Sequence, residues 1–139
     1  MSLFFVNTVF FSFLWLSNLS LFSENFVGLN KTEINEIMSN NYRSYKLNTS
    51  YVNKSYNYLK YEDKTSDITL LFFLNDDGVC KMIRLMSEYG NLNNLLAELD
   101  ANYTKSDNYN WQYIAEGVSY NVLLEEGDWF FTISIKQKR

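Results

Sequence analysis

The chain has 139 residues, 47% of them hydrophobic and 18% aromatic, and carries a net charge of −4 from 16 acidic and 12 basic side chains. That is the size of one domain, with enough apolar material for a core. Without His there is no imidazole base, Ser-His-Asp triad or imidazole metal ligand, one Cys rules out an intramolecular disulfide and a Cys-rich zinc site, and no basic block is present to hold a nucleic acid.

Residues 3–22 are apolar and uncharged. They read as a signal peptide cut near Ser23, with Leu21, Phe22 and Ser23 ahead of the cut, although no Lys or Arg precedes the run. The run also reaches the length of about 20 residues that a membrane anchor needs. A third reading is a buried helix of a cytosolic protein, apolar on every side. The expectation is residues 1–23 as a signal peptide (or membrane anchor) and residues 24–139 as a single α+β domain. Localisation follows as periplasmic or secreted, with membrane contact only through residues 3–22 if they are not cleaved.

A first helix opens at Asn30. Asn30 and Glu33 have capping-box spacing, Leu29 and Ile34 that of a hydrophobic staple, and Ile34, Ile37 and Met38 share a face. Residues 42–55 are polar and tyrosine-rich, with a short strand expected at residues 45–47. A strand over 56–62 and a turn over 63–66 lead into residues 67–86, where two apolar runs flank Asn75, Asp76, Asp77 and Gly78. Asp-Gly between such runs is a strong hairpin signal. Both arms read as central, well-buried strands.

After Met86 the residues Tyr89, Gly90 and Asn91 open a second helix, whose Leu92, Leu95, Leu96 and Leu99 form an amphipathic stripe. Strands follow over 111–116, 118–125 and 129–136, with reversals at Gly117 and at Glu126, Gly127 and Asp128. Val118, Tyr120, Val122 and Leu124 share one face, and Trp129, Phe131, Ile133 and Ile135 face away from Thr132, Ser134 and Lys136, so each strand has one buried and one wet face. The expected fold is α+β: an antiparallel sheet from residues 56–86 and 111–136 with two helices on one face.

Helix-then-strands occurs twice. Ile34 and Met38 match Leu95 and Leu99, and Tyr56, Asn57 and Tyr58 match Tyr109, Asn110 and Trp111. The pattern fits either a tandem repeat or the ordinary recurrence of elements in an α+β protein. Through Gly28, Leu29, Lys31, Glu33, Ile34 and Ile37, residues 26–38 resemble the helix opening of SmpA/OmlA-type outer-membrane assembly lipoproteins. The plan also looks like the related tandem fold of beta-lactamase inhibitory proteins, and like small exported bacterial proteins. Asn40 and Asn41 stand where those families commonly carry Gly-Pro, and no Cys ends the apolar segment. The resemblances imply a non-enzymatic exported module and carry over no site.

Residue types weigh the same way. Asp76 and Asp77, and Glu125, Glu126 and Asp128, lack calcium-loop spacing and suit turns. Cys80, among apolar neighbours with no activating partner, reads as a small hydrophobe. Lys81 and Arg84 fall on opposite faces of one strand. Asn-X-Ser/Thr patterns such as those at Asn30, Asn48, Asn53 and Asn102 matter only in a eukaryotic source. Tyr42, Tyr45, Tyr51, Tyr56, Tyr58, Tyr61, Trp111 and Tyr113 suit either an interaction surface or a half-buried sheet. The functional expectation is an exported, non-enzymatic binding module with no cofactor. Its partner is a protein or cell-envelope component, and Tyr58 and Trp111 are matched surface anchors. The alternative is a small hydrolase using carboxylate and tyrosine acid-base chemistry.

Overall fold

The computed structural model describes residues 20–49 and 57–139. It contains helices α1 (Lys31–Asn41) and α2 (Leu92–Asn102). Eight strands complete it: β1 (Lys46–Leu47), β2 (Tyr58–Asp63), β3 (Ile68–Leu74), β4 (Cys80–Glu88), β5 (Thr104–Asp107), β6 (Asn110–Ala115), β7 (Val118–Glu126) and β8 (Phe130–Gln137). They build one antiparallel sheet in the order β1-β2-β3-β4-β8-β7-β6-β5. The order mirrors itself about the β4/β8 seam. Each half is a helix followed by four strands, so the tandem pattern anticipated from sequence is the plan of the sheet.

Local chemistry explains the elements. The Asn30 side chain accepts from the Glu33 N–H (2.9 Å), and the Glu33 carboxylate accepts from the Asn30 N–H (3.1 Å), so both members of the expected capping box are made. Helix α2 has no side-chain cap. A 3-10 turn (Tyr89–Asn91) leads into it, and Asn91 donates to the Ser66 carbonyl (2.6 Å) and the Ser87 hydroxyl (2.9 Å), tying the helix start to the β2–β3 turn. In the β3–β4 hairpin, Gly78 supplies the positive φ of 78° that the reversal needs. The β6–β7 reversal has both Glu116 and Gly117 at positive φ, the conformation of a two-residue type I′ turn. Gly127 is required for a different reason. A Cβ there would lie 2.6 Å from the Phe130 carbonyl oxygen.

Strand register puts one row of side chains under the helices: Leu59, Phe72, Ile83, Ile135, Val122 and Trp111, contributed in turn by β2, β3, β4, β8, β7 and β6. All six are buried, in one core with Ile34 and Met38 of α1 and Leu95 and Leu99 of α2. Burying each such aliphatic side chain contributes about 1.5–3 kcal/mol. Both helices lie on this face. Tyr61 of β2 donates to the Asn35 side chain of α1, and the Trp111 indole of β6 donates to Asp100 of α2 (2.8 Å).

A strap formed by residues 20–30 bridges the halves. Ser20 donates to Glu98 of α2 (3.4 Å), Phe22 packs edge-on against Tyr103 and Phe26 against Phe72. The strap then exchanges backbone hydrogen bonds with the start of β4, Gly28 N–H to the Cys80 carbonyl and Cys80 N–H to the Leu29 carbonyl, each 2.8 Å. The boundary expected at Ser23 falls within this packing, since Phe22 is buried in the core.

Three sequence expectations change. β5 is exposed along its whole length, so no alternation announces it. Trp129 belongs to the reversal rather than to β8 and is 87% exposed; the Gly127 N–H bonds to the Phe130 carbonyl (2.9 Å), and the strand begins only there. The arms β3 and β4 are central, but described elements cover them on one face only. Residues 1–19 and 50–56, with Tyr51, Tyr56 and the Asn53 pattern, lie outside the described residues.

Candidate functional site

Turning the sheet over exposes a face that no described element covers. Its rows follow from the same register. One reads Tyr58, Phe73, Met82, Lys136, Asn121 and Gln112 from β2 to β6; the next reads Lys60, Leu71, Arg84, Ser134, Leu123 and Asn110. A third runs Glu62, Thr69, Met86, Thr132 and Glu125. The first row turns from apolar to polar at the β4/β8 seam. On the first half Tyr58, Leu71, Phe73, Met82 and Met86 form a half-buried apolar patch. On the second half the outward residues are mostly amides, hydroxyls and charges. An ordinary one-sided antiparallel sheet is polar throughout its wet face, so the patch is the departure.

Arg84 stands in the middle of the patch. Its guanidinium carbon lies 5.5 Å from the centroid of the Phe73 ring, which in turn packs against Tyr58 at 6.0 Å. The Arg84 Nε is buried and has no hydrogen-bond partner. Between described residues the one ion pair is Lys60–Glu62 (3.3 Å), so no carboxylate neutralises Arg84. An arginine stacked on an aromatic ring, ringed by Leu and Met and without a counter-charge, is a ready receptor for a carboxylate carried on an apolar surface.

The two anchors named from sequence fall on opposite faces. Tyr58 belongs to the outward patch. Trp111 does not: it is 1% exposed, sits in the inward row beside Val122, and satisfies its indole N–H on Asp100. Trp111 is therefore a core residue, and the two are not matched surface positions. A one-residue shift in a period-two element is enough to exchange faces.

The other tyrosines are largely structural. Tyr42 and Tyr61 are buried, and Tyr45 packs against the core. Tyr103, Tyr113 and Tyr120 form a stacked ladder with centroid spacings of 4.6 and 4.8 Å, closed by a Tyr113 hydroxyl bond to Asn25 (3.0 Å). Burial raises the Tyr103 and Tyr113 pKa values well above the ordinary phenol range, which holds both hydroxyls protonated. Cys80 is buried and its thiol is pushed up to about 12 by desolvation, the opposite of what a nucleophile needs.

Of the carboxylates singled out earlier, Asp76, Asp77 and Asp128 occupy exposed turns, whereas Glu125 and Glu126 end strand β7. Asp76 and Asp77 lie in the β3–β4 hairpin, where Asn75 makes the structural bonds by accepting from the Asp77 and Val79 N–H groups. Glu126 accepts from the Tyr109 hydroxyl (2.7 Å) at the other turn. Among the described residues no three His, Cys, Asp or Glu side chains converge on a metal position. The small cavity between strap and sheet holds only about 20 Å³, roughly one water, and its lining is almost wholly apolar.

Beside the patch, at the strap end of the sheet, runs an open groove of about 650 Å³. Lys81, Lys136, Lys138 and Arg139 line it, with no Asp or Glu side chain among its walls. Met82 belongs to both groove and patch, so the two surfaces are continuous. Sequence reasoning missed the patch although its signal was present. β3 is apolar at successive positions where β7 and β8 alternate, and a reading of it as a central, well-buried strand leaves its outward side chains unassigned.

No family model, characterised protein or solved structure matches the chain.

Proposed function

We propose that the chain is an exported, non-enzymatic interaction module that docks a protein or cell-envelope component on the outward face of β2, β3 and β4. The observation that carries this reading is the half-sheet patch of Tyr58, Leu71, Phe73, Met82 and Met86 around an Arg84 that has no counter-charge among the described residues. Contiguous apolar surface that stays partly exposed, as all five of these side chains do, costs solubility and marks interaction sites. Aromatic and arginine side chains are also the residue types that most often dominate interface energy.

Export rests on the uncharged apolar stretch 3–22. No helix among the described residues is long and apolar enough to cross a membrane. Because Ser20 and Phe22 are held by α2, we place any processing cut ahead of Ser20 rather than at Ser23. N-terminal sequencing of the mature protein tests this, and a terminus at Glu24 would refute it.

Docking is tested with the triple variant Leu71→Ser, Phe73→Ser, Met86→Ser. Wild-type and variant chains are used to capture partners from extract of the source cell. The captured protein is then purified and titrated against both by calorimetry. Loss of two or more anchors worth about 2 kcal/mol each should weaken binding at least tenfold while circular dichroism remains native. Equal affinity for the two chains would remove the docking face from consideration.

A further inference from the structure

We infer that the partner engages this module through an acidic segment, which crosses the apolar patch and ends in the basic groove lined by Lys81, Lys136, Lys138 and Arg139. The inference rests on the docking reading and specifies the chemistry of the partner.

The chain as a whole is acidic, at −4, yet four of its 12 cations gather on one groove whose lining holds no carboxylate side chain. Asp76 and Asp77 lie at the tip of the adjoining hairpin, outside that lining. Lys81, Lys136, Lys138 and Arg139 are all exposed and none makes an ion pair with a described residue. Like charges gathered without compensation repel one another, and a bound counter-charge relieves that repulsion. Lys136 is next to Met82 across the β4/β8 seam, and Arg84 lies diagonally from it one row along. Cations thus continue from the groove into the centre of the apolar patch. An extended segment that alternates acidic and apolar residues meets both features at once.

Two other polyanions fit less well. A nucleic acid needs a longer run of cations along its backbone than this groove supplies. An anionic membrane is an extended surface, which would face the acidic remainder of the molecule as well as the groove. A short segment meets only the groove, because screening confines each charge to roughly 8–10 Å.

The test uses the full chain and a fluorescein-labelled synthetic peptide alternating Glu with Leu, followed by anisotropy. A Lys–Leu peptide, vesicles of phosphatidylcholine with phosphatidylglycerol, and a single-stranded oligonucleotide serve as the other arms. The variant is Lys81→Glu, Lys136→Glu, Lys138→Glu, whose sites are exposed and whose folding is checked by thermal melting. The acidic peptide should bind wild type, should bind the variant about tenfold or more weakly, and should weaken as salt is raised. Failure of the acidic peptide to bind, equal binding to the variant, or binding of vesicles or oligonucleotide in its place overturns the inference. The Leu71, Phe73, Met86 variant is run in parallel with the captured partner. If it loses that partner while charge reversal has no effect, the acidic assignment falls and the docking face stands. If neither variant matters, both fall.

Discussion

The two halves of the sheet share an inside and differ outside. β3 and β7 hold corresponding places: Ile68, Leu70, Phe72 and Leu74 point inward from one, Val118, Tyr120, Val122 and Leu124 from the other. Facing out, β3 presents Thr69, Leu71 and Phe73, whereas β7 presents Ser119, Asn121, Leu123 and Glu125. Packing against a helix dictates the first set in both halves. Nothing in the fold requires both Leu71 and Phe73 to be apolar, since β7 does the same structural work with Ser119, Asn121 and Glu125 around a single Leu123. That asymmetry is what supports the docking face proposed on the first half.

The strongest way to break that comparison is to exchange the roles of Tyr58 and Trp111. Trp111→Ala empties the inward row and strands Asp100, and it should cost about 3–5 kcal/mol in chemical denaturation. Tyr58→Ala, on the outward face, should cost under about 1 kcal/mol and act on partner affinity instead. Equal destabilisation by the two would mean that the patch is core.

A smaller effect separates the turns. Asp63 and Ile68 close β2 and β3 across four residues, and Ala115 and Val118 close β6 and β7 across two. The longer turn depends on Asp63, a buried carboxylate. Burial alone would raise its pKa, but hydrogen bonds from Ser44 and from the Thr65 and Ser66 N–H groups outweigh that and hold it below the ordinary range. A lowered native pKa adds stability that is fully present above the unfolded value of about 4, and that stability disappears as pH falls through the native value. Asp63→Ala should cost about 1–3 kcal/mol at neutral pH, and the deficit should shrink in acid denaturation profiles. A deficit constant across that range would show that the carboxylate is not the group involved.

The smallest effect sharpens the contrast. Leu123 is 38% exposed on the polar half, and Leu123→Ser should change stability by no more than about 0.5 kcal/mol. It should also leave partner affinity unchanged, whereas Phe73→Ser should reduce it. Loss of binding through Leu123 would extend the docking face across the seam.

Local signals were legible and nonlocal ones were not. The Asn30–Glu33 box, the Leu95 and Leu99 stripe, the β3–β4 hairpin and the alternation in β7 and β8 all act within a few residues, and all formed as expected. The pairing of β4 with β8 joins positions about fifty residues apart, and no periodicity encodes it. Trp129 continued the alternation of β8 numerically, but the reversal held by Gly127 and Phe130 ended the strand first. The apolar run of β3 measured hydrophobicity and could not say whether a second layer would cover it. Tyr58 and Trp111 were aligned by residue type, which is blind to the face a strand residue occupies.

The strap has a consequence for the order of assembly. Its bonds from Ser20 to Glu98 and from Tyr113 to Asn25 span 78 and 88 positions. The earliest described part of the chain to be synthesised thus finds these two partners only when the second half has been made. The last strand to emerge, β8, occupies the middle of the sheet, so until it arrives β4 is a bare edge open to wrong partners. Six of the seven strand pairings join consecutive strands, so each half can pair locally, while the β4–β8 seam and the long-range bonds of the strap close last.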